Sequence, residues 1–136
     1  MIGFLRAALA ALALAVATPA AAQDDAAIRG VIADQLEAFQ RDDWAGAFAF
    51  ASPDIRSMFR TPENFGAMVR GGYGMVWRPS DVEYGPLEAG PRGPVQIMYF
   101  TDAQGARWVA AYEMEMVDGA WRIDGVRIRR MQDAAV

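Results

Sequence analysis

The apolar residues in the first half of the chain recur at helical spacing. Between residues 24 and 41 they follow the 3.6-residue period of an α-helix: Ile28, Val31, Ile32, Leu36 and Phe39. This pattern predicts an amphipathic helix, and Asp25 is the residue expected to cap its amino end.

Three shorter helices are predicted next, each with its own start signal. Asp43 precedes the segment "WAGAFAFA". At two later positions a residue with a side-chain hydroxyl stands directly before a proline: Ser52-Pro53 and Thr61-Pro62. A hydroxyl accepts hydrogen bonds from the free amides of a helix start, and proline suits the first helical position because it has no N–H. The pattern therefore predicts helices that begin at residues 44, 53 and 62.

The last of these helices contains three glycines that weaken it. The apolar series from Phe65 to Trp77 runs at helical spacing through Gly71, Gly72 and Gly74. Each glycine costs roughly 1 kcal/mol relative to alanine inside a helix. Two explanations stay open at this point, a close approach of another helix or a kink. A nucleotide-binding loop is excluded because its motifs need a lysine or a further glycine that this stretch lacks.

After Pro79 the apolar period changes from helical to alternating. The segments "PVQIMYFTD", "ARWVAAYEMEMV" and "WRIDGVRIRR" predict strands joined by the turns "DAQG" and "VDGA", and "DVEYGPLEAG" predicts a shorter first strand weakened by Pro86. In the "ARWVAAYEMEMV" strand, the residues at even positions from Trp108 to Met116 are expected to face the helices. In the "WRIDGVRIRR" strand the alternation slips by one residue, which predicts a β-bulge at Gly125.

Helices followed by an antiparallel meander predict an α+β fold, with three to four N-terminal helices packed on a bent sheet of about four strands. No repeat or change of composition interrupts residues 23–136, so they are expected to form a single domain.

The first 22 residues have the pattern of a secretory signal peptide. One arginine precedes a short alanine-rich apolar run, and small residues end at Ala22. Cleavage is expected after Ala22, with a periplasmic or secreted mature protein that has no further membrane segment.

Composition excludes several chemistries. The chain has no His and no Cys, and its 13 basic residues are all Arg. Imidazole bases, thiol nucleophiles, Schiff-base lysines and disulfides are therefore impossible. No calcium-loop spacing is present, so a metal site has no support. No other cofactor is expected either. The net charge of −4 argues against binding to nucleic acids or anionic membranes.

The pieces of this pattern resemble a known bacterial family. The segments "VIADQLEAFQRDDWAGAFAFASPDIRSMF" and "DGAWRIDGVRI" are similar to domain-of-unknown-function 4864, over about residues 27–128. That family is associated with the nuclear-transport-factor-2-like superfamily. The resemblance implies a cone-shaped sheet around the helices, a small molecule held inside the cone, and a homodimer through the outer sheet face. It supplies no catalytic motif, and function inferred from a fold alone is an analogy.

Aromatic residues are the first candidates for a binding site. They are expected at the contact between helices and sheet, where they form either solid core or an apolar pocket with tyrosine hydroxyls as polar groups. Tyr112 and Trp108 are the strongest candidates because they lie mid-strand on the inner face. The full candidate set for a ligand is Trp44, Tyr73, Trp77, Tyr99, Trp108 and Tyr112.

Carboxylates are the candidates for catalysis. With no histidine available, a general base would be a carboxylate whose pKa is raised in an apolar pocket. Asp43 and Asp34 are the candidates, although Asp43 is also explained as a helix cap. Glu113 and Glu115 share one strand face with Arg107, and cross-strand ion pairs with arginines explain them without chemistry.

Three hypotheses for function remain open from the sequence. The first is a non-catalytic domain that binds a small apolar or aromatic molecule, and the second is an isomerase, dehydratase or hydrolase with a carboxylate base. The third is a protein-interaction module with a filled core. A cavity separates the first two from the third, and a carboxylate inside it separates the second from the first.

Overall fold

A computed structural model describes Gly3 and residues 20–132 of the chain. The predicted signal segment therefore lies outside the described residues, apart from Gly3 and residues 20–22. Helices precede strands, as predicted: α1 (Ala20–Gln40), α2 (Trp44–Ala49), α3 (Pro53–Phe59), α4 (Pro62–Gly72), α5 (Gly74–Trp77), β1 (Asp81–Gly90), β2 (Gly93–Thr101), β3 (Arg107–Val117) and β4 (Ala120–Arg130). Among the described residues, no helix is both long and apolar enough to cross a membrane.

The first helix starts earlier than predicted. Since α1 begins at Ala20, Asp25 lies inside it and does not cap it. Asp25 instead pairs with Arg29 one turn later, with 3.0 Å between its Oδ1 and Arg29 Nε. The alanines before Asp25 have the highest helix propensity of any residue, which favours continuing the helix through them.

The other predicted helix starts are confirmed by their capping bonds. The carboxylate of Asp43 accepts a hydrogen bond from the Gly46 amide at 3.0 Å. The hydroxyl of Ser52 accepts one from the Ile55 amide at 3.3 Å, and that of Thr61 accepts one from the Asn64 amide at 3.1 Å. Pro53 and Pro62 occupy the first helical positions, as expected.

A kink divides the glycine-containing helix into α4 and α5. Tyr73, with φ −131° and ψ 45°, leaves the helical conformation between them. A Cβ at Gly71, Gly72 or Gly74 would meet nothing within 4 Å, so no neighbouring element requires a glycine there. Of the two explanations left open by the sequence, the kink is therefore correct.

Close packing instead occurs at Gly66, earlier in α4. A Cβ at this buried position would lie 2.6 Å from the indole ring of Trp44. The missing side chain lets α4 approach α2, whose first residue is Trp44. The contact joins two of the helices that lie over the sheet.

The four strands form one antiparallel sheet in the order β1-β2-β3-β4. The helices cover one face, where Met98, Phe100, Ala110, Tyr112 and Met114 are buried. The inward alternation predicted for β3 is confirmed from Ala110 to Met114 but not at Met116, which is 48% exposed. This open α+β sheet is the predicted fold class.

Strand β1 is one residue shorter than β3 and β4 but longer than β2, so Pro86 shortens it less than the sequence predicts. The strand has 10 residues against 9 in β2. The register shifts between Tyr84 and Leu87, so Gly85 and Pro86 bulge out of the ladder and proline's missing N–H breaks no regular pair. The buried Gln96 side chain donates from Nε2 to the Gly85 carbonyl at 2.8 Å, which satisfies the bulged backbone.

Strand β4 carries the bulge that the slipped alternation predicted. Glu113 pairs with Gly125 and Met114 with Ile123, so the extra residue is Asp124, one position before the predicted Gly125. The preceding turn has positive φ at Asp118 (50°) and Gly119 (81°), which is the type I′ geometry of a two-residue hairpin.

The bulge is also where the sheet binds the helical half of the chain. The Ser52 amide donates to the Ile123 carbonyl at 2.9 Å, and the Ile123 amide donates to the Phe50 carbonyl at 2.8 Å. The Ser52 hydroxyl donates to Asp124 Oδ1 at 2.7 Å. We call residues 50–52, bound in this way along β4, the junction segment.

Replacing a glycine of α4 with alanine is expected to have opposite effects on stability at the closely packed Gly66 and at Gly71, which has no close neighbour. Gly66→Ala is expected to lower the free energy of unfolding by roughly 1–3 kcal/mol, because the new methyl group overlaps a rigid indole. Gly71→Ala in the same helix is the matched control and should raise it by about 0.5–1 kcal/mol. Urea denaturation measures both, and a stabilised Gly66→Ala variant would show that Trp44 moves away freely.

Candidate functional site

A cavity of about 280 Å³ lies between the helices and the inner face of β3 and β4. Its wall combines residues from α1, α3, α4, α5 and the segment between α2 and α3 with Tyr112 of β3 and the bulged part of β4. Most of its side chains are apolar: Phe39, Ala51, Ile55, Met58, Phe59, Phe65, Met68, Val69, Val76, Ile123 and Val126. Met58, which is 69% exposed, marks the side where the cavity opens to solvent.

Three side chains with hydrogen-bonding groups complete the cavity wall: Gln35 from α1, Tyr73 from the kink and Tyr112 from β3. Tyr73 lies one turn after Val69, which lines the same cavity, so the kink residue stays on the cavity side of α4. The cavity is an apolar site with few polar groups, which is the usual composition of a small-molecule site.

Tyr112 forms part of the cavity floor but its hydroxyl is closed off. Its side chain is 0% exposed, and the oxygen has no hydrogen-bond partner among the described residues. Burial, with a smaller contribution from nearby Tyr84, raises the pKa of the Tyr112 hydroxyl above its ordinary value. The group therefore stays neutral and keeps its proton.

Gln35 is a buried polar residue that the sequence prediction missed. It is 3% exposed, on the apolar side of α1, and its Nε2 donates to the Ala47 carbonyl at 3.2 Å. The signal in the sequence was a glutamine one turn after Ile32 and one turn before Phe39, where the helical period calls for an apolar residue.

Two of the six predicted ligand-binding residues line the cavity, Tyr73 and Tyr112. Trp44 and Trp77 lie outside it, next to each other with ring centroids 6.2 Å apart. The Trp77 indole donates to Asp42 Oδ1 at 2.9 Å, and Arg78 binds the same oxygen at 3.0 Å. These contacts attach α5 to the turn after α1.

The other two predicted residues lie elsewhere on the sheet. Trp108 is on the inner face but near the sheet end, where its indole donates to Asp102 Oδ2 at 2.9 Å. This bond lowers the pKa of the Asp102 carboxyl. Tyr99 pairs with Val109 on the opposite face, so it is not at the contact between helices and sheet.

The candidate catalytic carboxylates are not at the cavity. Asp34 is exposed on α1, and Asp43 is exposed and engaged in capping α2. No Asp or Glu in the part of the chain with described side chains lines the cavity. Within the same part, no three His, Cys, Asp or Glu side chains are grouped so that they could hold a metal ion.

Glu113 forms ion pairs with arginines on the outer sheet face, as expected. Its carboxylate binds Arg127 across the sheet at 3.2 Å and Arg92 from the β1–β2 turn at 3.2 Å. Arg107 also forms a cross-strand ion pair, with Glu83 at 3.6 Å. The glutamates of β3 therefore belong to the charged outer face.

A family model described as Domain of unknown function (DUF4864) matches residues 21–136. The matched range contains all the helices and strands except the first residue of α1. Comparison with curated proteins and comparison with solved structures give no match.

The closed-off hydroxyl of Tyr112 predicts an unusual stability effect. Tyr112→Phe is expected to raise the free energy of unfolding by about 1–2 kcal/mol, because it removes a buried polar group without a partner. Urea denaturation of the two proteins measures the difference. A destabilised phenylalanine variant would show that the hydroxyl is hydrogen-bonded in solution, for example to a buried water.

Proposed function

The chain belongs to the family Domain of unknown function (DUF4864), and from that premise we propose that it binds one small, apolar molecule. The observation that carries the proposal is the cavity between the helices and the sheet, with its mainly apolar wall. The free energy falls when a ligand displaces the water beside this apolar surface, so binding of an apolar molecule is favoured.

The size of the cavity limits the ligand. A cavity of roughly 150 Å³ holds one benzene molecule. The volume here, about 280 Å³, is nearly twice as large and suits a molecule of about two rings or a short branched chain. The proposal is therefore a compact ligand and not a sterol-sized one.

Binding is favoured over the two other functions considered. A module with a filled core would leave no such cavity. An isomerase, dehydratase or hydrolase with a carboxylate base would place that base beside the substrate. Neither candidate base lies beside the cavity. Asp34 is exposed to solvent, and Asp43 caps helix α2.

We also propose that the domain acts after export, with the signal segment removed after Ala22. Support comes from the sequence of residues 1–22 alone. In this proposal the sheet and helices form the cone implied by the superfamily, and the cavity is its interior.

The outer face of the sheet supports a homodimer as the second part of the proposal. Ile97, Val109 and Ala111 form the apolar part of a shallow groove there, and Arg127 and Arg129 line its β4 side. Glu83, Tyr99, Val109 and Arg129 lie side by side across the four strands in one row. This row has an acidic end on β1 and a basic end on β4.

Only one symmetric arrangement matches these charges. If two sheets pack face to face about a two-fold axis parallel to the strands, β1 of one copy opposes β4 of the other. Glu83 of each copy then faces the partner's Arg129, while the apolar residues between them meet. An axis perpendicular to the strands would oppose like charges instead.

Filling the cavity is expected to abolish ligand binding. Val126→Trp places a large ring in the cavity and should weaken binding of naphthalene, a two-ring probe, by at least about tenfold. Ala67→Trp, exposed on α4 and outside the cavity wall, is the matched control and should leave binding unchanged. Ligand-detected NMR measures both, and equal binding by all three proteins would place the probe elsewhere.

The dimer is tested by exchanging the two charges. Glu83→Arg and Arg129→Glu should each weaken self-association measured by analytical ultracentrifugation, because each places like charges opposite one another. The double variant should restore it, since the opposite charges face each other again. A monomeric wild-type protein at millimolar concentration would contradict the dimer and leave the cavity proposal intact.

A further inference from the structure

We infer that the ligand of the cavity is uncharged and donates a hydrogen bond to Oε1 of Gln35. The inference rests on the proposed binding function and adds the chemical class of the ligand: a phenol, an alcohol or an N–H compound of about two rings. Three observations support it, namely the charges around the cavity, the orientation of the Gln35 amide and the closure of Tyr112.

The first observation excludes a charged ligand. Among the described side chains, none that lines the cavity carries a formal charge. A carboxylate or ammonium group that enters an apolar site without a partner loses its hydration and receives nothing comparable in return. Neutral molecules are therefore strongly preferred.

The second observation defines which half of the Gln35 amide is left for a ligand. A carbonyl oxygen only accepts hydrogen bonds, so the contact with the Ala47 carbonyl at 3.2 Å must be made by Nε2. The Oε1 of the same amide accepts no hydrogen bond from the described part of the chain, and it retains some accessible surface.

That remaining surface faces the cavity, because Gln35 is 3% exposed and belongs to the cavity wall. A buried carbonyl-type oxygen without a hydrogen-bond partner raises the free energy of the protein. A hydrogen-bond donor that reaches the oxygen removes this cost. A ligand with an O–H or N–H group supplies the donor, whereas an ether or a hydrocarbon of the same size does not.

The third observation concerns the other polar groups of the wall. The hydroxyl of Tyr112 has no accessible surface, so a ligand cannot reach it without movement of its neighbours. Tyr73 is only partly buried at the kink, whereas Gln35 is 3% exposed within the cavity wall. Gln35 is therefore the polar group that discriminates between ligands inside the cavity.

Four naphthalene compounds test the inference in wild-type protein without any substitution. We expect 2-naphthol to bind about three- to tenfold more tightly than naphthalene or 2-methoxynaphthalene, since it alone donates a hydrogen bond. The anion 2-naphthoate should bind more weakly than naphthalene by at least about tenfold. Ligand-detected NMR or calorimetry supplies the dissociation constants.

The variant Gln35→Met then assigns the preference to one side chain. It keeps a similar length and should bind naphthalene while losing the preference for 2-naphthol. Gln40→Met, an exposed glutamine on the same helix, is the matched control and should keep that preference.

The outcomes separate the inference from the function on which it rests. If none of the neutral compounds binds wild-type protein, the proposed function is wrong. If they bind but 2-naphthol shows no advantage over 2-methoxynaphthalene, the inference about the ligand class is overturned and the cavity remains a binding site. Retention of the 2-naphthol preference in a folded Gln35→Met variant overturns the assignment to Gln35.

Discussion

The pairing of the junction segment with Ile123 is the interaction on which the arrangement of helices and sheet depends. Both backbone groups of Ile123 are used by residues 50 and 52, and Ser52 adds its hydroxyl bond to Asp124. Each such bond contributes only about 0.5–1.5 kcal/mol net. Their position matters more than their sum, because they attach the chain between α2 and α3 to the free edge of β4, which would otherwise expose unpaired backbone groups.

The bulge makes this attachment compatible with a cavity. The extra residue Asp124 shifts the register of β4, so Val126 and Ile123 both face the helices on either side of it. Ser52 caps α3 from the same junction, which places Ile55 and Met58 over the space that remains. Helix α3 has no buried residue of its own. It is therefore positioned by its cap and the junction, and it covers the cavity without filling it.

Local signals in the sequence predict much of this fold, because their causes are local. A hydroxyl before proline starts a helix, alternation defines a strand face, and a slip in that alternation predicts the bulge. Gly66 and Gly71 show the limit. Both are glycines in one helix, and only the approach of Trp44 from another element distinguishes them. Trp44 and Trp77 show the same limit, since a large half-buried ring can pack in a core, at a helix joint or around a pocket.

The site was harder to predict because it depends on where polar groups end up inside an apolar wall. Aromatic residues are conspicuous in a sequence, yet Tyr112 presents a closed-off hydroxyl while the inconspicuous Gln35 presents an accessible oxygen. The difference arises from neighbours distant in sequence: the Ala47 carbonyl orients one amide, and dense packing surrounds one phenol. A polar residue within a strict apolar helical stripe is thus a more informative signal than an aromatic one, because its burial has a cost that must be offset by a partner. The Nε2 of Gln35 has a hydrogen-bond partner in the protein, the Ala47 carbonyl. Its Oε1 has none, and the inferred preference of the cavity for a hydrogen-bond donor follows from that oxygen.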